Sequence, residues 1–507
     1  MAVRINKINE RIFSLDLSGI DSSSKQSLIY RFSNEVSFVY KKLNVLFNRS
    51  KRRTETKIEA EKINLFFPVD NDCNKIVFFS GHINKIIKIL KDQNIEFDDV
   101  DNVLKVEKID YDISELRKRS IILKPNQDVC ISRIASNKNG LIIAPTGMGK
   151  SMIIAMCCLL FKNKRIDVIN QSISVCEMLG DLISRVTGEK VGRIGGWSSK
   201  GRINKKRINV VTSRSMIKSG FDADIVFLDE VHQLVTRSNF ENILKYKNAR
   251  IYGLTASLER EDNLHHYAYS ICGDVIFNIS YEECRALGII PEINVLWMRV
   301  KNFDLEQKRE YGFVERKRVN VWNNDYRNKL IADIANKFVE SGNQVLIMVE
   351  TIEHCYNIKK FLPNFEVCYA DSPKKYSLIN KVKKMGLSYE NMTKTKRIEI
   401  AKKFENREIM GVIANGVWST GVSFNSLNVL IRASGTSSSI KSVQEPGRVC
   451  RIDEKTNKYV GLVVDFVDEF DNNLLKKSHE RFKVYKELGF TQIDIEKMKI
   501  VENFKDF

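Results

Sequence analysis

Leu141-Ile-Ile-Ala-Pro-Thr-Gly-Met-Gly-Lys-Ser151 passes from an apolar run through a glycine-bearing turn into a helical stretch at residues 152–161. It departs from the pattern GxxxxGK[ST] only at Ala144, which stands in the first glycine place. Such a turn needs small residues, so that successive backbone N–H groups can converge on phosphate oxygens where the helix start adds its partial positive charge. Thr146, Gly147 and Gly149 suit that approach, Lys150 is placed to reach the β and γ phosphates, and the Ser151 hydroxyl is left to ligate Mg²⁺. Without its flanks the Gly-Lys-Ser tripeptide would be an ordinary turn; a strand before and a helix after make it a nucleotide loop.

Outward from this loop, apolar runs at 141–144, 166–169, 208–212, 225–228 and 251–254 alternate with helical segments. Short apolar runs separated by helices are what a parallel sheet covered on both faces produces. A second set at 345–349, 366–369, 411–414, 429–431 and 459–464 predicts a second α/β layer in tandem. The expected division is an N-terminal α+β domain at 1–115, a first layer at 116–290, a connection at 291–324, a second layer at 325–470 and a helical tail at 471–507. The N-terminal part holds β-type runs at 63–69 and 76–79, an amphipathic helix at 83–90 and the basic cluster Asn48-Arg-Ser-Lys-Arg-Arg-Thr54.

Asp229-Glu-Val-His232 directly follows the apolar run 225–228. A carboxylate at the end of a parallel strand lies at the sheet edge where the phosphates sit. Asp229 can therefore hold the Mg²⁺ shell while Glu230 orients and deprotonates the attacking water. An isolated acidic pair would be a solvated turn; beside Lys150 and Ser151 it completes a hydrolytic site. His232 has neither an HExxH pattern nor a Cys/His cluster around it, which excludes zinc.

Composition narrows the partner. In 507 residues, 82 Lys and Arg against 63 Asp and Glu give a net charge of +19, which points to nucleic acid because phosphate backbones reward clustered cations by counterion release. The 10 cysteines show no CxxC spacing, so they read as buried thiols of a reducing compartment. No apolar run is long enough to span a bilayer, and the expected location is the cytoplasm.

Together these residues resemble the superfamily 2 helicases and translocases, which carry two RecA-like domains. Ile122-Leu-Lys-Pro-Asn-Gln127 is similar to the element whose glutamine reads the adenine edge, so the resemblance implies ATP. Thr255-Ala-Ser257 is similar to the motif that couples hydrolysis to movement. Asn415-Gly-Val-Trp-Ser-Thr-Gly421 resembles the motif V loop, and Gln444-Glu-Pro-Gly-Arg-Val-Cys-Arg451 matches QxxGRxxR. Gln444 belongs to that signature, and Arg448 and Arg451 become arginine-finger candidates: a guanidinium on the γ-phosphate transition state is worth ~10³–10⁵ in rate in other NTPases. One departure stands out. Relatives usually have Pro-Thr after the second strand, where this chain has Asn170-Gln171-Ser172.

For the nucleic-acid track, the candidates are Lys200, Arg202, Lys205, Lys206 and Arg207 in one loop, with Arg316-Lys-Arg318 in the connection. Lys374 and Lys375 open a lysine-rich stretch within an apparent insertion at 372–391. Gly195-Gly-Trp197 and the motif V loop narrow the resemblance to phage UvsW-type recombination helicases, which implies branched or forked DNA as substrate. A DExH RNA helicase, a DNA translocase without strand separation and a binding scaffold with a degenerate ATPase core are the competing classes.

Overall fold

The computed structural model describes residues 3–48, 53–98, 105–196, 205–301, 313–370, 376–418, 424–435, 445–449, 451–452 and 458–507. The chain divides into two compact units, one of residues 1–44 and 57–279, the other of residues 45–56 and 280–507.

The first unit is built on a parallel seven-stranded sheet. In pairing order its strands are Val275–Asn278, Gly140–Ile143, Arg250–Thr255, Ile225–Asp229, Ile166–Asn170, Ile208–Thr212 and Gly192–Ile194. Every residue of Ile166–Asn170, Ile208–Thr212 and Ile225–Asp229 is buried, which is why these strands are continuous apolar runs and not alternating ones. Helix Lys150–Leu160 is likewise buried almost all round.

The N-terminal residues form an antiparallel sheet in the order Arg4–Lys7, Ile12–Asp16, Lys75–Phe79 and Phe66–Pro68, with a two-stranded ribbon of Ser37–Asn48 and Arg53–Asn64. Asp21 caps helix Ser22–Glu35 by accepting the Ser24 N–H at 2.9 Å. Helix Ile83–Asp92 buries Ile83, Ile86, Ile89 and Leu90, a stripe with helical spacing. These elements do not keep a core of their own. Phe79 meets Phe240 edge-on with ring centroids 5.0 Å apart, and Phe38 meets Tyr267 at 5.3 Å. Arg11, fully buried, donates to the Ile271 carbonyl at 3.2 Å, to Asn139 Oδ1 at 3.0 Å and to the Ala249 carbonyl. The expected separate N-terminal domain and the first α/β layer thus share one continuous core.

The second unit carries an eight-stranded sheet in the order Glu366–Cys368, Gly411–Ala414, Val345–Met348, Val429–Arg432, Val460–Asp468, Glu292–Val300, Thr491–Asp494 and Lys499–Ile500. All neighbours are parallel except the last pair. Two expectations change here. Residues 291–324 contain, in place of a plain connection, the nine-residue strand Glu292–Val300, paired along its whole length with Val460–Asp468. The tail beyond 470 is not only helical: Thr491–Asp494 adds a strand beside Glu292–Val300. Trp297, fully buried, donates its indole N–H to Gln492 Oε1 at 3.0 Å and so joins the two.

Candidate nucleotide site

The site in the first unit grows out of the carboxyl ends of its central strands. Ile143 pairs with Thr255, and Leu254 with Asp229, so the nucleotide loop, the coupling motif and the acidic pair leave the sheet side by side. The loop turns on Gly147 at φ +98° and Gly149 at φ +93°, left-handed values that a residue with a Cβ rarely adopts. At Gly149 a Cβ would also lie 2.7 Å from Gln127 Nε2. Lys150, buried at the first turn of its helix, donates Nζ to the Ala144 carbonyl at 2.9 Å and reaches the Pro145 carbonyl at 3.5 Å. The ammonium is thus held at the loop by carbonyls that a phosphate oxygen can replace.

Gln127 braces the same loop. Its Nε2 donates to the Met148 carbonyl at 2.9 Å and its Oε1 accepts the Lys124 N–H at 3.0 Å. One N–H and one lone pair remain to read a base edge. Thr146 and Ser151 are half-buried on the loop and the first helical turn.

Asp229 is the last residue of its strand and is buried. Burial and the adjacent Glu230 charge push its carboxyl up to about 7, against the opposing pull of Lys150 and a hydrogen bond from Asn170. Glu230 sits at φ +52°, a left-handed conformation for a non-glycine residue, and strain of that kind gathers at functional sites. Its Oε2 is buried 3.4 Å from His232 Nδ1 and makes no hydrogen bond among the described residues. The position suits a group that must accept a proton from water.

His232 serves another purpose than metal binding. Its Nδ1 lies 2.8 Å from Thr255 Oγ1, and the Thr255 hydroxyl gives its only proton to the Ser257 carbonyl at 2.6 Å. The proton of the first bond therefore comes from Nδ1, and burial pushes the imidazole pKa below its ordinary value, keeping the ring neutral. Ser257 N–H returns to Thr255 Oγ1 at 3.2 Å. A chain of hydrogen bonds thus runs from the acidic motif to the Thr-Ala-Ser motif.

In the second unit, Pro446–Val449 form a single 3-10 turn and Arg451 Nη1 donates to Asn425 Oδ1 at 2.9 Å. Glu445, inside the QxxGRxxR segment, is buried and accepts Arg432 Nε at 2.6 Å. Lys200, Arg202, Lys374, Lys375, Gly421, Gln444 and the Arg448 side chain lie outside the described residues.

Among the candidates for the nucleic-acid track, Arg207 is corrected. Its five N–H donors are spent on the carbonyls of Cys158, Phe161 and Lys164 and on both oxygens of Glu189, which closes the C-terminal end of helix Lys150–Leu160 and leaves none for a phosphate. Lys205 lies 3.6 Å from Asp222 Oδ1, and Lys206 is exposed. Within the lysine-rich stretch, Lys381 pairs with Glu353 at 2.5 Å. Tyr389, at the end of the apparent insertion, stacks on Tyr356 at 5.6 Å.

Residues 116–260 match the family described as type III restriction enzyme, res subunit, and residues 327–453 match the helicase conserved C-terminal domain. The first match holds the nucleotide loop and the acidic pair, the second the QxxGRxxR segment. The chain belongs to the superfamily 2 helicases. Membership makes it an ATP-dependent helicase or translocase whose motor is the matched pair of domains. The DNA 3'-5' translocase XPB2 of Sulfurisphaera tokodaii is 23% identical over 370 residues, covering 69% of this chain and 83% of that protein. The ATP-dependent DNA helicase uvsW of Enterobacteria phage T4 is 23% identical over 349 residues, 66% of either chain. Among solved structures, S. cerevisiae Dbp5 bound to RNA and ADP BeF3 superposes with a TM-score of 0.53 at 11% identity, covering 78% of this chain and 95% of that one. That likeness establishes the fold of the helicase motor.

Family membership implies ATP as the nucleotide, and the residues present fit a Mg²⁺ ion beside it. The donors are a hydroxyl and carboxylates, hard oxygens of the kind Mg²⁺ takes. No cluster of three His, Cys, Asp or Glu suited to a metal occurs among the described residues. No helix of the described residues is long and apolar enough to cross a membrane.

Proposed function

We propose that this helicase is an ATP-driven DNA motor that remodels branched or forked DNA, by branch migration or fork regression, in recombination, repair or replication. The observation that carries the chemistry is the convergence of Lys150, Asp229 and Glu230 on one sheet edge, in a chain matched by both halves of a helicase motor. DNA as the track is supported by the two sequence relatives, a DNA translocase and a DNA helicase, and by the net charge of +19. The branched substrate rests on the likeness to uvsW and on the motif V and Gly195-Gly196 residues.

In this reading Gln127 selects adenine, and Gly147 and Gly149 let the backbone of the loop close on the phosphates. Lys150 leaves the Ala144 carbonyl for the β and γ phosphates. Ser151 and Asp229 would hold Mg²⁺, which would supply neutralising charge to the triphosphate. Glu230 orients the attacking water and takes its proton. Arg448 and Arg451 stabilise the charge that develops on the γ-phosphate, and Thr255 and Ser257 pass the change in the site to the rest of the motor. Lys200, Arg202, Lys205, Lys206, Lys374 and Lys375 contact phosphates of the track, positioning the protein without reading sequence.

ATPase and strand separation measured over single strands, forks, four-way junctions and RNA duplexes test the proposal. Highest unwinding on forks and junctions supports it. Preference for RNA duplexes refutes the DNA assignment, and DNA-stimulated ATPase without strand separation reduces the protein to a translocase.

A further inference from the structure

The strand Ile166–Asn170 ends beside the strand that carries Asp229, with Ile169 in register with Leu228. Asn170 is 2% exposed. Its Nδ2 donates to Asp229 Oδ2 at 2.9 Å and lies 3.3 Å from the Asp229 carbonyl. Its Oδ1 accepts the Ser172 N–H at 2.8 Å. The two contacts settle which way the amide points: only an oxygen can face the Ser172 N–H, so the nitrogen faces the carboxylate.

The bond fixes how Asp229 is turned. It takes one carboxylate oxygen, Oδ2, and so sets the plane of the group. A carboxylate serves a cation only while it is correctly turned.

We propose that Asn170 is a positioning residue for Mg²⁺ at the nucleotide site, holding the Asp229 carboxylate in the orientation that faces the ion. This rests on the assignment of Asp229 to the Mg²⁺ shell. Residues that orient metal-binding groups from behind typically contribute ~10–100-fold to metal affinity.

The test compares the affinity of the full-length protein for a fluorescent ADP with Mg²⁺ present and in EDTA, and the binding of Mn²⁺ in the presence of ADP followed by its paramagnetic resonance. In Asn170→Ala and Asn170→Leu the gain in ADP affinity that Mg²⁺ confers should fall by ~10-fold, as should Mn²⁺ affinity, while affinity in EDTA is unchanged. Unchanged EDTA affinity also reports that the loop is folded. Asn170→Ala added to Asp229→Asn should cost nothing further, since both act through one carboxylate. If Asp229→Asn removes the Mg²⁺ gain and both Asn170 variants keep it, the role of Asn170 is refuted. Equal losses with and without Mg²⁺ refute it too and leave only structural support of the loop. If Asp229→Asn itself keeps the full Mg²⁺ gain, the assignment of Asp229 has failed and takes the proposal with it.

Discussion

Two buried aspartates near the ends of parallel strands, one in each unit, behave in opposite ways. Asp229 in the first unit receives one side-chain hydrogen bond, and burial with the Glu230 charge carries its pKa up to about 7. Asp465 in the second unit is as deeply buried, yet its pKa lies below the ordinary value: burial alone would raise it, but Arg481 and Arg432 outweigh that cost. It accepts Arg481 Nε at 2.9 Å, Arg432 Nη1 at 3.2 Å and the Tyr485 hydroxyl at 2.8 Å. Asp468, at the end of the same strand, pairs with Arg327 at 2.8 Å. The sheet plan alone does not distinguish these carboxylates. Saturation does: where the protein supplies every counter-charge the acid is structural, and where it supplies too few the acid is left for a cation from outside.

The contrast can be broken most decisively by activity. Glu230→Gln and Lys150→Ala should each lower the ATPase kcat by ~10²–10⁴ while DNA binding persists, whereas Asp465→Asn should leave the kcat of the folded protein near wild type; steady-state turnover with a filter-binding control decides it. Next comes stability. Asp465→Asn should cost about 3–5 kcal/mol, because it leaves two buried arginines short of charge, measured by denaturant unfolding at neutral pH. Since the folded pKa is depressed, the wild-type contribution is present above the ordinary carboxylate range and is lost as pH falls through it, so the difference between the two proteins should shrink in acid.

Asp229→Asn should do the reverse and raise stability at pH 8, by about 4 kcal/mol in nucleotide-free protein. Here the folded pKa is raised, so stability declines as pH rises from about 4 toward 7 in the wild type, and the gain of the variant should vanish in acid; thermal unfolding across pH checks the sign. The smallest effect separates two neighbours in one basic loop. Lys206→Ala should reduce the slope of log affinity for DNA against log salt by about 0.9, the value of one lost phosphate contact. Arg207→Ala should leave the slope alone and lower the unfolding temperature.

Much of this was legible in the residues. Runs at 208–212 and 411–414 are strands with the same bounds, and 166–169 and 225–228 fall short by one residue each, because a strand buried on both faces leaves an uninterrupted apolar run. The nucleotide loop announces itself because its glycines answer a backbone requirement. Glu292–Val300 did not: Ile293, Val295 and Trp297 alternate with more exposed residues after Pro291, and with its partner more than a hundred residues away the run resembled a connection. Arg207 looked like its cationic neighbours, since charge is visible in a sequence and the carbonyls that consume it are not. Asn170 stood out only as a departure, and its meaning came from the carboxylate beside it. The sharing of one core between the N-terminal strands and the first motor sheet depends on Arg11 and on aromatic pairs such as Phe79 with Phe240, whose partners lie far along the chain.

The insertion of Glu292–Val300 between Val460–Asp468 and Thr491–Asp494 sets an order of events at the ribosome. All the strands of the first motor sheet have emerged by residue 278, and that sheet can close while the rest of the chain is still being made. The second sheet keeps an open groove beside Glu292–Val300 until residues 460–468 and 491–494 have been synthesised, because both of its flanking strands come from much later in the chain. Long-range parallel pairing of this kind is slow and exposes unpaired edges in the meantime. During synthesis, the half of the motor bearing QxxGRxxR is therefore the half that most needs shielding from other nascent chains.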